Sequence, residues 1–236
     1  MTHALAFRIS LAGAVIVLAL AIYSAFSPAM VACGALQPSY SPVIAQELSR
    51  SVADVQQIFG AAPSACRTAI ARRIDLVTWV DSLAFIPAYG AFLLFFFMGL
   101  AERDRQSAFI GFVLSAVACG ADYLENVCLF AITAHPDADG FALAFLPWAT
   151  GLKWLALGLG GAVGGTILIQ SGRMNYPAAA LCGLSFLGTV LGIANPHLFG
   201  PYISNAITAI WVVFLVVDVR QVIASFSAVP QLEPGA

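Results

Sequence analysis

The residues best suited to chemistry lie in Gly120-Ala121-Asp122-Tyr123-Leu124-Glu125-Asn126, two carboxylates and an amide within an apolar run over about 107–133. Ionisable side chains are costly in lipid, so by default they face the protein interior and mark a functional site. Helical spacing puts Asp122, Glu125 and Asn126 on one broad face. That face continues backwards through Cys119, Ser115 and Gly111, while Phe109, Val113, Val117 and Leu124 form an apolar back. Other apolar runs supply Asp81, about 9 Å beyond Asp75 along a helix axis, together with Lys153 and Asn205. Depth counting brings Asp81, Asp122, Glu125, Asn126, Lys153 and Asn205 to one level of a bundle, with Asp75, Arg72, Arg73, Tyr89 and Tyr123 at the rim.

Three carboxylates facing one lysine cannot all remain ionised at low dielectric. Carboxyls keep protons, a cation binds, or Arg72 and Arg73 reach in from the rim. Such a set can carry a proton, hold a cationic group, or divide acid and base roles between carboxyls in different environments. It can also do no chemistry and only lock helix register.

The elements that must position these groups are set by composition. The chain has 236 residues, of which 61% are hydrophobic and 9% charged, far from the balance of a soluble domain. Its mean hydropathy is +0.91. Six runs reach the roughly 20 residues a bilayer span needs: about 9–31, 75–101, 107–133, 141–170, 176–195 and 201–224. The expected fold is therefore all-α, a polytopic membrane bundle of six transmembrane helices over 1–225 with a short disordered tail at 226–236. Little lies outside the spans except 32–74, so there is no room for a separate soluble catalytic domain. The net charge of −2 gives no reason to expect nucleic acid, and no basic cluster suited to anionic lipid is present. The first run is longer than the h-region of a cleaved signal peptide and reads as a retained anchor.

Within 32–74, Ile44, Leu48, Val52, Val55 and Phe59 recur at helical spacing and predict one amphipathic extramembrane helix over 42–59. Pro42 sits at its first position after Ser41, and Gly60 ends it. Glu47, Arg50, Asp54 and Gln57 fall on its polar face, with Arg50 and Asp54 spaced as an ion pair. This helix would lid the bundle or lie flat in the interface. Cys33 and Cys66 flank it and would form a disulfide in an oxidising compartment. Cys119, Cys128 and Cys182 lie within spans and read as small packing residues. Pro87 should kink the second span and free the Leu83 carbonyl. In the fourth span, Ala156, Gly160, Gly164 and Leu157, Gly161, Gly165 form two seams that let helices approach closely.

Arg103, Arg105, Arg173 and Arg220 flank one set of connections, whereas 135–140 and 195–200 hold no Lys or Arg. The positive-inside rule then places both termini in the cytoplasm of a bacterial-type inner membrane, although Arg50, Arg67, Arg72 and Arg73 oppose it. Asp218 and Arg220 would be solvated at the cytoplasmic exit. His135 and His197 lack zinc-ligand spacing, G-x-S-x-G is absent, and no metal or cofactor is expected. Beyond the bilayer itself, the expected partner is a lipid or small amphiphile; oligomeric state is left open. Three functions fit: proton-linked binding or translocation of a small or amphiphilic molecule, lipid chemistry with Asp122 or Glu125 as base beside Lys153, and an accessory subunit held together by a structural polar network.

Overall fold

In a computed structural model of the chain, residues 2–26, 30–37, 40–61 and 63–227 are described. The expected tail lies outside the described residues from 228 onward. The protein is all-helical, and six of its helices are long and apolar enough to cross a membrane. That is the character of an integral membrane protein.

Helix α1 (His3–Phe26) packs along the second span and also touches the last. The segment between the first two spans holds α2 (Pro42–Glu47) and α3 (Val52–Phe59), so the amphipathic stretch 42–59 is helical but broken in two. The break has a local cause: Ser51 caps α3 by accepting the Asp54 N–H, while the Asp54 carboxylate accepts the Arg50 N–H and the Ser51 hydroxyl. This reciprocal arrangement fixes a new helix start. Asp54 thus serves as a cap; the Arg50 guanidinium turns instead to the Ile193 carbonyl. Gly60, at φ 78°, ends α3 in a backbone conformation that suits glycine. The apolar faces of both short helices are packed inward, with Val55, Ile58 and Phe59 fully enclosed.

The second span begins at Ala65, earlier than hydropathy suggests, and runs through α4 (Ala65–Val80), a π-helical turn (Asp81–Phe85) and α5 (Ile86–Leu100). Pro87 lacks an N–H, and the helix widens just before it; the Ile86 N–H bonds the Asp81 carbonyl five residues back. Next come α6 (Arg105–Ala134), α7 (Phe141–Gln170), α8 (Tyr176–Ala194), the short α9 (Pro196–Phe199) and α10 (Ile203–Ser227). The α6–α7 pair is the most extensive packing in the molecule.

The small residues of α7 allow that density. A Cβ on Gly161 would lie 2.4 Å from Ile210, and one on Gly164 would lie 2.5 Å from the Phe214 ring. On α1, Gly13 sits so close to the α5 backbone that a Cβ would meet the Ala88 carbonyl oxygen at 2.7 Å.

The two ends of the bundle differ. At one end α3 covers the connections 135–140 and 195–200, with Gln56 at 3.5 Å from Asp137 and Asp54 at 3.7 Å from His197. Arg67 of α4 pairs with Asp137 at 2.6 Å, and the Tyr40 hydroxyl, just before α2, donates to the Pro196 carbonyl at 3.1 Å. Cys33 and Cys66 are bridged, with Cα atoms 5.9 Å apart, and close the cap at its base. The other end has tight turns, where His3 meets Glu102 and Arg103 meets Ser171.

Candidate functional site

The site is built around α6. Gly111, Ser115, Asp122, Glu125 and Asn126 are all buried on one face of that helix, whereas Phe109, Val113, Leu124 and Val127 are exposed on the other. Facing α6, α7 presents Lys153, only 5% exposed. Its ammonium lies 2.5 Å from Glu125 and 3.3 Å from Asp122. A third carboxylate comes from outside the spans: Glu47 at the end of α2 reaches Lys153 at 2.9 Å and is itself buried. The ammonium thus donates hydrogen bonds to Glu47 and Glu125 and forms an ion pair with Asp122. The ammonium also sits 4.6 Å from the centre of the Trp154 ring.

Glu47 is held from both sides. Its backbone carbonyl accepts the Thr150 hydroxyl at 2.9 Å, and its neighbour Gln46 donates to the Thr133 hydroxyl at 3.0 Å and the Leu129 carbonyl at 3.3 Å. Burial pushes the Glu47 carboxyl above the ordinary range, and the Lys153 charge offsets this only in part. The neighbouring groups extend the network. Tyr89 on α5, wholly buried, donates to Asp122 at 2.8 Å. Asn126 donates to Asp81 at 2.6 Å and to the Ser82 hydroxyl at 3.0 Å, so the π-turn supplies the fourth carboxylate. Gln46 Oε1 and Glu125 Oε2 are buried without a hydrogen-bond partner.

Of the residues proposed for the pocket from sequence, Asp81, Asp122, Glu125, Asn126 and Lys153 converge in this network. Asn205 does not: it is exposed, because the inward face of α10 is formed by Ile203, Ile207 and Ile210. Among the rim residues, Tyr89 is central rather than peripheral, while Tyr123 is 44% exposed on the outer side of α6. Arg72 is exposed and does not reach in; Arg73 and Asp75 are half-buried on α4. Glu47, expected on the polar face of one amphipathic helix and outside the pocket, is instead buried against Lys153. Asp218, expected to be solvated, is fully buried on α10 and bonded to Ser10 at 2.6 Å, while Arg220 is exposed.

A cleft of about 650 Å³ opens at the capped end between α4 and α6, lined by Arg67, Arg72, Asp75, Thr133, His135 and Asp137 among others. Thr133 joins this cleft to Gln46, and thereby to Glu47. Among the described residues, no group of three or more His, Cys, Asp or Glu side chains is arranged to hold a metal ion. Compared with protein-family models, with curated proteins and with solved structures, the chain matches none.

Proposed function

We propose that the protein binds and carries a small cationic or amphiphilic molecule, exchanging it against protons held on the carboxylates around Lys153. One observation carries this reading: three buried acids surround a single amine, and one of them, Glu47, belongs to a cap outside the spans. Fully ionised, the three acids and the lysine would sum to −2, a charge that a low-dielectric interior does not tolerate. Protons or a bound cation balance it. Withdrawal of α2 would take one carboxylate from Lys153 and open the route from the cleft at Thr133, whose size suits a small ligand. The cap then acts as a gate, with its latch inside the binding site.

Reconstitution into liposomes tests this directly, with tetraphenylphosphonium as the cationic amphiphile and a trapped pH dye as the proton readout. The expected result is probe movement driven by a pH gradient, lost in Glu125→Gln. A second reading, a purely structural network, is favoured by the tight satisfaction of Lys153 by three carboxylates. It predicts no gradient-driven movement in the native protein and loss of thermal stability alone in Glu125→Gln and Lys153→Ala. Lipid chemistry has weaker support, since Lys153 is locked as an ion-paired cation.

A further inference from the structure

Asp218 takes no part in the site described above, yet it is 0% exposed and its Oδ1 has no hydrogen-bond partner. Its Oδ2 lies 2.6 Å from the Ser10 hydroxyl of α1, and that same hydroxyl lies 2.8 Å from the Phe92 carbonyl of α5. A serine hydroxyl has one proton to donate. It cannot serve both a carboxylate and a carbonyl. Two short bonds need two protons, and the second is supplied if Asp218 is the neutral acid, donating to Ser10 while Ser10 donates to Phe92.

The surroundings agree. Among the described residues Asp218 has no ion pair, and the cations on the elements around it are directed elsewhere. On α1 the facing polar group is Ser10, while Arg8 is exposed and lies over the Phe226 ring. The ionisable residue of α5 is Tyr89, those of α8 are Tyr176 and Cys182, and that of α7 is Lys153, already paired. Arg220 on the same helix is exposed, and two residues on it points to the far side.

We infer that Asp218, Ser10 and the Phe92 carbonyl form a second proton-binding site, separated from the Lys153 cluster by an aromatic layer. Trp211, Phe214 and Asp218 share one face of α10 at i, i+3 and i+7. Trp211 stacks on Tyr89 at 5.5 Å, so the Asp218 backbone lies about 10 Å further along α10, and its carboxyl reaches back to the Ser10 hydroxyl beside the Phe92 carbonyl. Trp211 also meets Phe92 edge-on at 6.2 Å, so its ring lies between Tyr89 and the Phe92 side of the site, and Phe214 stacks on Phe96 at 4.1 Å beside it. A cavity of about 10 Å³, the lower limit for one water, lies beside Ser115, Trp211 and Phe214. The bundle therefore holds protons at two depths with a plug between them, as a carrier that loads and unloads at opposite faces requires. This use rests on the proton-linked reading; the protonation of Asp218 stands without it.

Infrared spectroscopy of the purified full-length protein at neutral pH tests the site through the protonated-carboxyl C=O band. Asp218→Asn, nearly isosteric and neutral, should remove one such band and leave the thermal midpoint close to native. Ser10→Ala should keep that band but move it to higher frequency, because its hydrogen bond is gone; this holds the proposal to account if Asp218→Asn folds poorly. An unchanged band set in folded Asp218→Asn would overturn the assignment, as would an unshifted set in Ser10→Ala. Glu125→Gln should leave the Asp218 band in place. If that band is present but the native protein moves no protons in liposomes, the carrier reading fails and the site remains.

Discussion

At the scale of single residues, Lys153 is the group on which the others depend. Removing one partner of a buried charge cluster leaves uncompensated ions and typically costs about 3–5 kcal/mol. Lys153→Met leaves Glu47, Asp122 and Glu125 facing one another and should lower the thermal midpoint in detergent sharply. Glu125→Gln removes one negative charge from an over-acidic cluster and should be much milder. Equal losses in the two variants would mean that the acids are not in excess. Glu47 adds a pH signature. Its folded-state acidity is weakened by burial, so the folded cap holds a proton to higher pH than the unfolded chain does. The cap's stability is then greatest below the ordinary glutamate range and declines as pH rises through the raised value. A spin label at the exposed position Ala53→Cys should gain mobility as pH rises, and Glu47→Gln should flatten that dependence. A profile identical in both backgrounds would assign the titration to another group.

At the scale of elements, what was readable from sequence follows the strength of the periodic signal. Long apolar runs specify spans whatever their neighbours do, and the polar front of α6 was legible because Gly111, Ser115, Asp122 and Asn126 repeat along one face. Glu47 was missed because the apolar repeat runs on from Leu48 through Val52, while the first helix ends at Glu47 and the Ser51–Asp54 cap starts another. A residue counted on the polar face of one long helix is thereby turned inward. The Ser51-x-x-Asp54 spacing was the available signal. Asn205 and Asp218 were misplaced for a related reason: in an apolar helix the inward face is chosen by its partners, and Ile203, Ile207 and Ile210 decide it on α10. The cap's attachment can be tested on the same footing. The Cys33–Cys66 bridge closes a 33-residue separation, for which chain entropy gives about 3–4 kcal/mol. Cys33→Ser with Cys66→Ser should make the chain cleavable by trypsin after Arg50, and unaltered resistance would show that α2 is held by Glu47 and Gln46 alone. Asp137→Asn should act in the same direction, since Arg67 holds the Asp137 carboxyl below the ordinary range. That contribution is complete above the usual carboxylate range and is lost as pH falls through the depressed value.

At the scale of the whole molecule, the open matter is which end faces which compartment. Basic residues favour the tight-turn end only narrowly as the cytoplasmic one: Arg8, Arg103, Arg105, Arg173 and Arg220 lie towards it, against Arg50, Arg67, Arg72 and Arg73 towards the cap. The disulfide points the same way, since such bonds persist on the oxidising side of a membrane. We propose on these grounds that the cap faces outward and the tight turns the cytoplasm; under the proposed carrier function the Lys153 cluster would then be the outer proton site and Asp218 the inner one. Single cysteines offer a clean measurement, because the native free thiols Cys128 and Cys182 are buried and Cys119 is only partly accessible. In intact cells a membrane-impermeant maleimide should label Ala138→Cys, in the connection beneath the cap, while Ser171→Cys at the opposite end should react only after permeabilisation. The reverse pattern would turn the molecule over, exchange the loading and unloading sites, and leave the Cys33–Cys66 bridge to be explained in a reducing compartment.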